Sequence, residues 1–282
     1  MKIVVRATNW IGDAIMSLPA LRAIRGSFPD AEIAVLARPW VADLYQGERS
    51  VDRVIALEGA AGFRDWSLKW KTAQRLRAER FDLAILFPNS FESAALVFAA
   101  GVPKRAGYAR DRRSFLLTDP IAVPNAGEIP RHERFYYLEL LRRAGLIGPI
   151  GRDESGIYLD GGEAARTRGE VLLRARGLDL PVVGVSPGAA YGTAKRWLPE
   201  RFAQAARELG GSVAVFGSEA ERELCEGVAR QCGGHNLAGL TSLREFIDMT
   251  AACELFLSND SGAMHIACAL GVPSVTVFGP TD

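Results

Sequence analysis

From its second residue the chain alternates short β-branched and aliphatic runs with longer stretches whose apolar positions recur every three or four residues. That is the pattern of βα units built on a parallel sheet. The apolar runs predict strands at 2–7, 32–37, 54–57 and 82–87, and again at 181–186, 212–216, 255–258 and 274–278. Behind Gly12-Asp13, the residues Ile15, Leu18, Leu21 and Ile24 fall at helical spacing and predict a helix over 13–27, opening at Asp13. Around 146–162 the sequence turns rich in glycine and polar residues, after which a helix over 163–176 and a new apolar strand begin. The chain reads as two α/β domains, 1–161 and 162–282. Open sheets of this kind bind ligands outside the carboxyl ends of their strands.

Composition narrows the class. With 282 residues, 48% hydrophobic and 24% charged, the chain is ordinary globular material and not disordered or fibrous. The absence of an apolar run of about 18 residues predicts no membrane-spanning helix. The opening MKIVVRATNWIGD lacks the pattern of a signal peptide, so a cytoplasmic location is expected. Cys225, Cys232, Cys253 and Cys268 form no CxxC pair, which predicts reduced, mostly buried thiols and no zinc site. A net charge of +1 argues against a nucleic-acid partner. Residues 1–161 carry 23 basic and 19 acidic side chains and residues 162–282 carry 11 and 14, which places any anionic partner on the first domain.

Three strand ends carry candidate chemistry. After the first strand, Ala7–Asp13 has no GxGxxG, which disfavours a nicotinamide dehydrogenase; it offers Asn9, the indole of Trp10 and an acid, Asp13, at a helix start. After the strand ending at Ser186 comes a loop in which Gly188 and Gly192 free backbone amides for an anion and Lys195 adds a positive charge. It is not a Walker A loop, because Thr193-Ala194 separates the second glycine from the lysine. After the strand near 258, Asp260, Ser261 and Gly262 open a helix bearing His265, and amides plus helix dipole suit an anion there. Glu219 and Glu221 stand where an acid often reads ribose hydroxyls, and Lys104, Arg105, Arg110, Arg112 and Arg113 make a basic run. Each has a structural reading beside the chemical one: Asp13 and Asp260 as caps, Trp10 and His265 as packing residues, the loop and the basic run as solvated surface.

The blocks NWIGDAIMSLPALRAIR, FPNSFESA, RAGYARDRRSFLL, PGAAYGTAKRWLPERF, NLAGLTSL and NDSGAMHIACALGVPSVTVFGPT together resemble, nearly end to end, the ADP-heptose:lipopolysaccharide heptosyltransferases of glycosyltransferase family 9. The Pro88-Asn89-Ser90-Phe91 block, Gly107-Tyr108, and Trp10 before Gly12-Asp13 look more like heptosyltransferase II than heptosyltransferase I. The resemblance implies a GT-B fold, two Rossmann-like parallel-sheet domains facing a central cleft, with the acceptor on 1–161 and ADP-heptose on 162–282. It implies inverting transfer of heptose from ADP-L-glycero-D-manno-heptose to the first heptose of the lipopolysaccharide inner core, heptosyl-Kdo-lipid A, with no cofactor and no metal. Asp13 would be the general base and Lys195 the cation on the departing ADP. Gly188, Gly192, Thr193, Glu219, Glu221, Asp260, Ser261, Gly262 and His265 would hold the donor. Asn9, Trp10, Asn89, Lys104, Arg105, Arg110, Arg112 and Arg113 would hold the acceptor. A lipid-linked oligosaccharide acceptor implies peripheral contact with the cytoplasmic face of the inner membrane, without nucleic acid. Family members usually continue several tens of residues past the point where Pro280-Thr281-Asp282 stands, into a helix expected to be missing here. The rivals are heptosyltransferase I acting on Kdo-lipid A, another GT-B nucleotide-sugar enzyme such as a 2-epimerase, and a non-catalytic sugar-nucleotide or lipid binder.

Overall fold

The computed structural model describes residues 1–59, 64–151, 156–189 and 193–279. It divides into two compact units, Met1–Ile157 and Tyr158–Asp282. The division falls at 157/158, not at 161/162, because the Leu159 N–H already donates to the Ala269 carbonyl at 2.9 Å and ties this stretch to the second unit.

The first unit carries β1 (Lys2–Arg6), β2 (Glu32–Ala37), β3 (Arg53–Ala56), β4 (Leu83–Leu86), β5 (Lys104–Tyr108) and β6 (Asp119–Ile121). They form one parallel sheet in the order β3-β2-β1-β4-β5-β6. Its helices are α1 (Ile11–Met16), α2 (Leu18–Ser27), α3 (Pro39–Ala42), α4 (Trp66–Glu79), α5 (Phe91–Ala99) and α6 (Arg134–Arg143). The second unit carries α7 (Gly162–Ala175), β7 (Val182–Ser186), α8 (Pro199–Leu209), β8 (Ser212–Val215), α9 (Arg222–Cys232), β9 (His235–Asn236), α10 (Leu243–Ala251), β10 (Leu255–Asn259), α11 (Gly262–Ala269) and β11 (Ser274–Val277). Its parallel sheet runs β11-β10-β7-β8-β9.

Burial on both faces explains why the strands read as unbroken apolar runs. Val213 and Val215 of β8 pack with Val183, Val185, Phe202 and Val228 on one face of the second sheet. Their neighbours Ala214 and Phe216 join Val182, Met249 and Phe256 on the other. Each such side chain removed from water contributes ~1.5–3 kcal/mol. Gly184 is small because a Cβ there would lie 2.5 Å from the Phe256 ring, which fills that space.

Two departures from the sequence pattern have local causes. The helix expected over 13–27 is two helices meeting at Ser17. Pro19 has no N–H to give to the carbonyl four residues back, and the Ser17 hydroxyl turns back to the Ala14 carbonyl at 2.8 Å. The strands β5, β6 and β9 were not expected: β5 reads KRAGY with no β-branched run, and the other two span three and two residues. No helix among the described residues is long and apolar enough to cross a membrane. Cys225 and Cys253 are buried, Cys232 is partly so, Cys268 is exposed, and all four are free thiols.

Candidate functional site

In a parallel sheet the place where strand order reverses leaves the loops of two adjacent strands diverging, which opens a crevice. The first sheet reverses between β1 and β4, the second between β7 and β10. Asn9, Trp10, Asp13 and Asn89 follow the first pair; Gly188, Asp260, Ser261 and Gly262 follow the second.

In the first unit, the turn after β1 is pinned from beneath. Arg6 is buried; its Nη2 donates to Asn9 Oδ1 at 2.6 Å, and Trp40 Nε1 donates to the Asn9 carbonyl at 2.8 Å. Burial, with Arg38 close by, lowers the Arg6 guanidinium to about 10, so it stays charged at neutral pH. Helix α1 opens at Ile11 with Trp10 at its N-cap and no side-chain cap. Asp13 therefore sits inside the first turn and not at the cap its sequence position suggested. Its half-buried carboxyl is pushed above the usual carboxylate range by desolvation. Glu133, at the N-cap of α6, is raised by burial and by the negative charge of Asp13. In the sequence the one signal for Glu133 is an acid at a helix start.

Asn89 donates from Nδ2 to the Tyr136 hydroxyl at 2.9 Å, while its Oδ1 is buried with no hydrogen-bond partner. The Tyr136 ring in turn packs at a tilt against Tyr108, 4.3 Å between ring centroids, and the Tyr108 hydroxyl donates to the Tyr136 carbonyl at 2.8 Å.

The basic run does not act as one patch. Lys104 and Arg105 begin β5, so they occupy the amino edge of the sheet, roughly 13 Å along the strand from the edge that carries Asp13 and Asn89. Arg105 is further committed to the carbonyls of Val102 and Leu116, the latter at 2.7 Å. Arg113 is fully buried, and it donates to the carbonyls of Pro88, Ser90 and Tyr108 and to the Ser93 hydroxyl at 2.7 Å. It holds the Asn89 loop from inside and lies out of reach of any ligand. Arg110 and Arg112 follow β5 at the carboxyl edge and are exposed.

In the second unit, Lys195 Nζ meets Asp260 Oδ2 at 2.7 Å, with both side chains 23% exposed. Asn259, fully buried, ties the two loops together: its Oδ1 accepts from the Trp197 N–H at 2.9 Å and its Nδ2 donates to the Pro187 carbonyl at 2.8 Å. In the sequence nothing sets Asn259 apart from the other polar residues after the strand. Ser261 is the N-cap residue of α11, and its buried Oγ has no partner. His265 lies in the first turn, its N–H donating to the Ser261 carbonyl at 3.3 Å.

Gly188 faces Glu221, whose Oε1 would be 2.0 Å from a Cβ at that position. The other oxygen of Glu221 closes a capping box, accepting from the Ser218 N–H at 2.9 Å. Glu219 turns to Arg222, which holds its carboxyl below the usual range. Gly192 and the Thr193 side chain lie outside the described residues; the Thr193 backbone opens a short 3₁₀ turn ending at Lys195. No three His, Cys, Asp or Glu side chains among the described residues gather as a metal would require.

Residues 69–282 match glycosyltransferase family 9 (heptosyltransferase). The chain belongs to this family. Over its whole length it is 31% identical to lipopolysaccharide heptosyltransferase 2 of Escherichia coli, covering 84% of that protein. The solved structure of E. coli ADP-heptose lps heptosyltransferase II superposes with a TM-score of 0.85 over the whole chain and 86% of the other. Against E. coli lipopolysaccharide heptosyltransferase 1 the identity is 24%, covering the whole chain and 89% of that protein. The chain is a GT-B glycosyltransferase with two Rossmann-like parallel-sheet domains, nearer in sequence to the E. coli heptosyltransferase 2 than to heptosyltransferase 1.

Proposed function

We propose that this enzyme transfers heptose from ADP-L-glycero-D-manno-heptose to the first heptose of the lipopolysaccharide inner core, heptosyl-Kdo-lipid A, with inversion and without a metal. The observation that carries the reading is the Lys195–Asp260 pair beside the start of α11, at the strand-order reversal of the second sheet, in a chain 31% identical along its length to a heptosyltransferase 2.

The chemistry follows from what each group can hold. Asp13 takes the proton of the acceptor hydroxyl as its oxygen bonds to the anomeric carbon, and burial that raises its carboxyl makes it a stronger base than a solvated aspartate. The bond from that carbon to the phosphate oxygen breaks, and ADP leaves with the electron pair. Lys195 neutralises the charge growing on the diphosphate, which the amides at Ser261 and Gly262 and the dipole of α11 also face. Asp260 orients a heptose hydroxyl, and the buried, unpartnered Ser261 Oγ offers a further hydrogen bond to the donor. Gly188 leaves room for Glu221 Oε1 at the turn after β7, and that oxygen, 3.8 Å from the Arg196 guanidinium, reads the ribose; Glu219, both of whose oxygens accept from Arg222, does not.

On the first unit, Asn89 Oδ1 accepts from an acceptor hydroxyl, Trp10 offers an exposed ring face to the sugar, and Asn9 keeps the turn in register. Arg110 and Arg112 meet the anionic groups of the acceptor, while Arg113 only holds the Asn89 loop. Because that acceptor is a lipid, the enzyme works as a peripheral protein at the cytoplasmic face of the inner membrane.

The test is release of ADP from ADP-heptose in EDTA, with heptosyl-Kdo-lipid A or Kdo-lipid A as acceptor. Release that needs the heptosylated acceptor and survives chelation is the expected result. Release with Kdo-lipid A alone would make the enzyme a heptosyltransferase I, and loss of release in EDTA would overturn the metal-free mechanism.

A further inference from the structure

One face of the first unit is used by none of these groups. On α4, Trp66 and Trp70 stand one turn apart, 54% and 44% exposed, and Arg77 continues their row. Trp66 and Trp70 line a groove together with Ala95 and Ala99 of α5. Phe98 of α5 is 51% exposed beneath the Arg105 guanidinium at 5.3 Å, and Phe115 beyond it is 73% exposed, 6.1 Å from Phe91. An isolated exposed aromatic is unremarkable, but four on two packed helices and the adjoining turn make a patch that water alone does not favour.

Basic side chains outnumber acidic ones around the patch: Asp65 precedes Trp66, and Arg64, Lys71, Arg75 and Arg77 flank the two tryptophans, all of them exposed. Lys71 and Arg75 are exposed on the outer side of α4. The acids these two helices carry are both neutralised: Glu79 by Arg53, and Glu92 by Arg38 at 2.8 Å and Lys69 at 3.5 Å. Indole and phenyl rings flanked by Lys and Arg match the headgroup layer of an anionic bilayer, where rings sit at the interface and cations meet lipid phosphates.

We propose that the face formed by Trp66, Trp70, Phe98 and Phe115, with Lys71 and Arg75 beside it, docks this enzyme on an anionic lipid surface. It rests on the reading above only in that the acceptor is lipid-linked; the roles of Asp13 and Lys195 do not enter it. The contact is shallow and reversible, because partial insertion of a few rings and a handful of cations gives far less binding than a spanning helix.

The test is co-sedimentation of the whole chain with vesicles of phosphatidylcholine alone or mixed equally with phosphatidylglycerol, alongside quenching of tryptophan fluorescence by brominated lipid. Wild type is expected on the mixed vesicles only, with binding weakened by salt. Trp66→Ser/Trp70→Ser should lower the bound fraction at least ~10-fold and remove most of the quenching. Lys71→Glu/Arg75→Glu should abolish the preference for phosphatidylglycerol. Both variants should keep the wild-type circular dichroism and turnover on a water-soluble heptosyl-Kdo fragment. Wild type that ignores both vesicles overturns the membrane contact itself. Variants that bind as wild type does overturn this face while leaving a membrane contact standing elsewhere. A wild type that self-associates and becomes monomeric in the tryptophan variant, with no vesicle binding, shows a second copy to be the occupant and refutes the proposal. Absence of turnover in a vesicle-binding wild type would count against the enzymatic reading and leave the surface intact.

Discussion

The ion pair between Lys195 and Asp260 offers a direct test of the donor site. At a separation of 2.7 Å, attraction between unit charges runs from ~1.5 kcal/mol in water to ~6 kcal/mol at an effective dielectric of ~20. With about a quarter of each side chain exposed, the pair belongs near the lower end, ~2 kcal/mol. Lys195→Ala removes the cation and leaves the Asp260 carboxylate bare where the diphosphate is proposed to lie. Turnover should fall ~10²–10³-fold, as when one electrostatic stabiliser of a leaving anion is lost, and ADP should bind more weakly. Adding Asp260→Asn removes that repulsion, so the double variant should regain ~10–30-fold in ADP affinity over Lys195→Ala, the equivalent of ~2 kcal/mol. Asp260→Asn alone should hold or gain ADP affinity and lose turnover, because the heptose loses its orienting carboxylate. Calorimetric titration with ADP across the four proteins gives the coupling energy. Additivity within ~0.5 kcal/mol, or Lys195→Ala with wild-type turnover, would overturn the role given to the pair.

Three further outcomes follow from the geometry. Asp13→Asn should abolish transfer with ADP binding kept, while the wild-type rate should fall as pH drops through the raised Asp13 value; because folding favours the protonated form of a carboxyl raised by burial, the Asn variant should also be the more stable above that value, its advantage vanishing as pH falls through the unfolded-state value. Arg113→Ala should cost ~3–5 kcal/mol, since it opens a cavity and removes the buried hydrogen bonds this guanidinium makes to the carbonyls of Tyr108, Pro88 and Ser90 and to the Ser93 hydroxyl; thermal unfolding lowered by less than ~2 °C would contradict that. Gly188→Ala sets a methyl 2.0 Å from Glu221 Oε1, so it should break the Ser218 capping box at ~1 kcal/mol and weaken ADP binding, read by denaturant midpoint and titration.

Much of this was legible in the residues themselves. Valine-rich runs such as 182–186 announce parallel strands because both faces of a parallel sheet are buried, leaving no polar alternation to hide the pattern. The candidate groups Asp13, Lys195 and Asp260 stood out because strand ends in such folds are where ligands bind, and small or polar residues there serve no core. Short strands were missed for the same reason in reverse: β5 contains Lys104, Arg105 and Gly107, and its place in the sheet comes from the ladder with β4 and not from its own propensity.

What the chain alone determined was thus local: period, strand ends, helix starts, and the family its motifs belong to. Tertiary structure decided which like residues share a fate. Five cations between residues 104 and 113 are one basic run on paper, yet folding sends Lys104 and Arg105 to one edge of the sheet, Arg110 and Arg112 to the other, and Arg113 into the interior. Burial separates them because a guanidinium can leave water only where carbonyls such as those of Pro88 and Ser90 converge to receive it, and that convergence exists only after the sheet has formed. The same holds for Glu133, whose nearness to Asp13 joins residues far apart in the chain through the packing of α6 against α2, a contact no local pattern encodes.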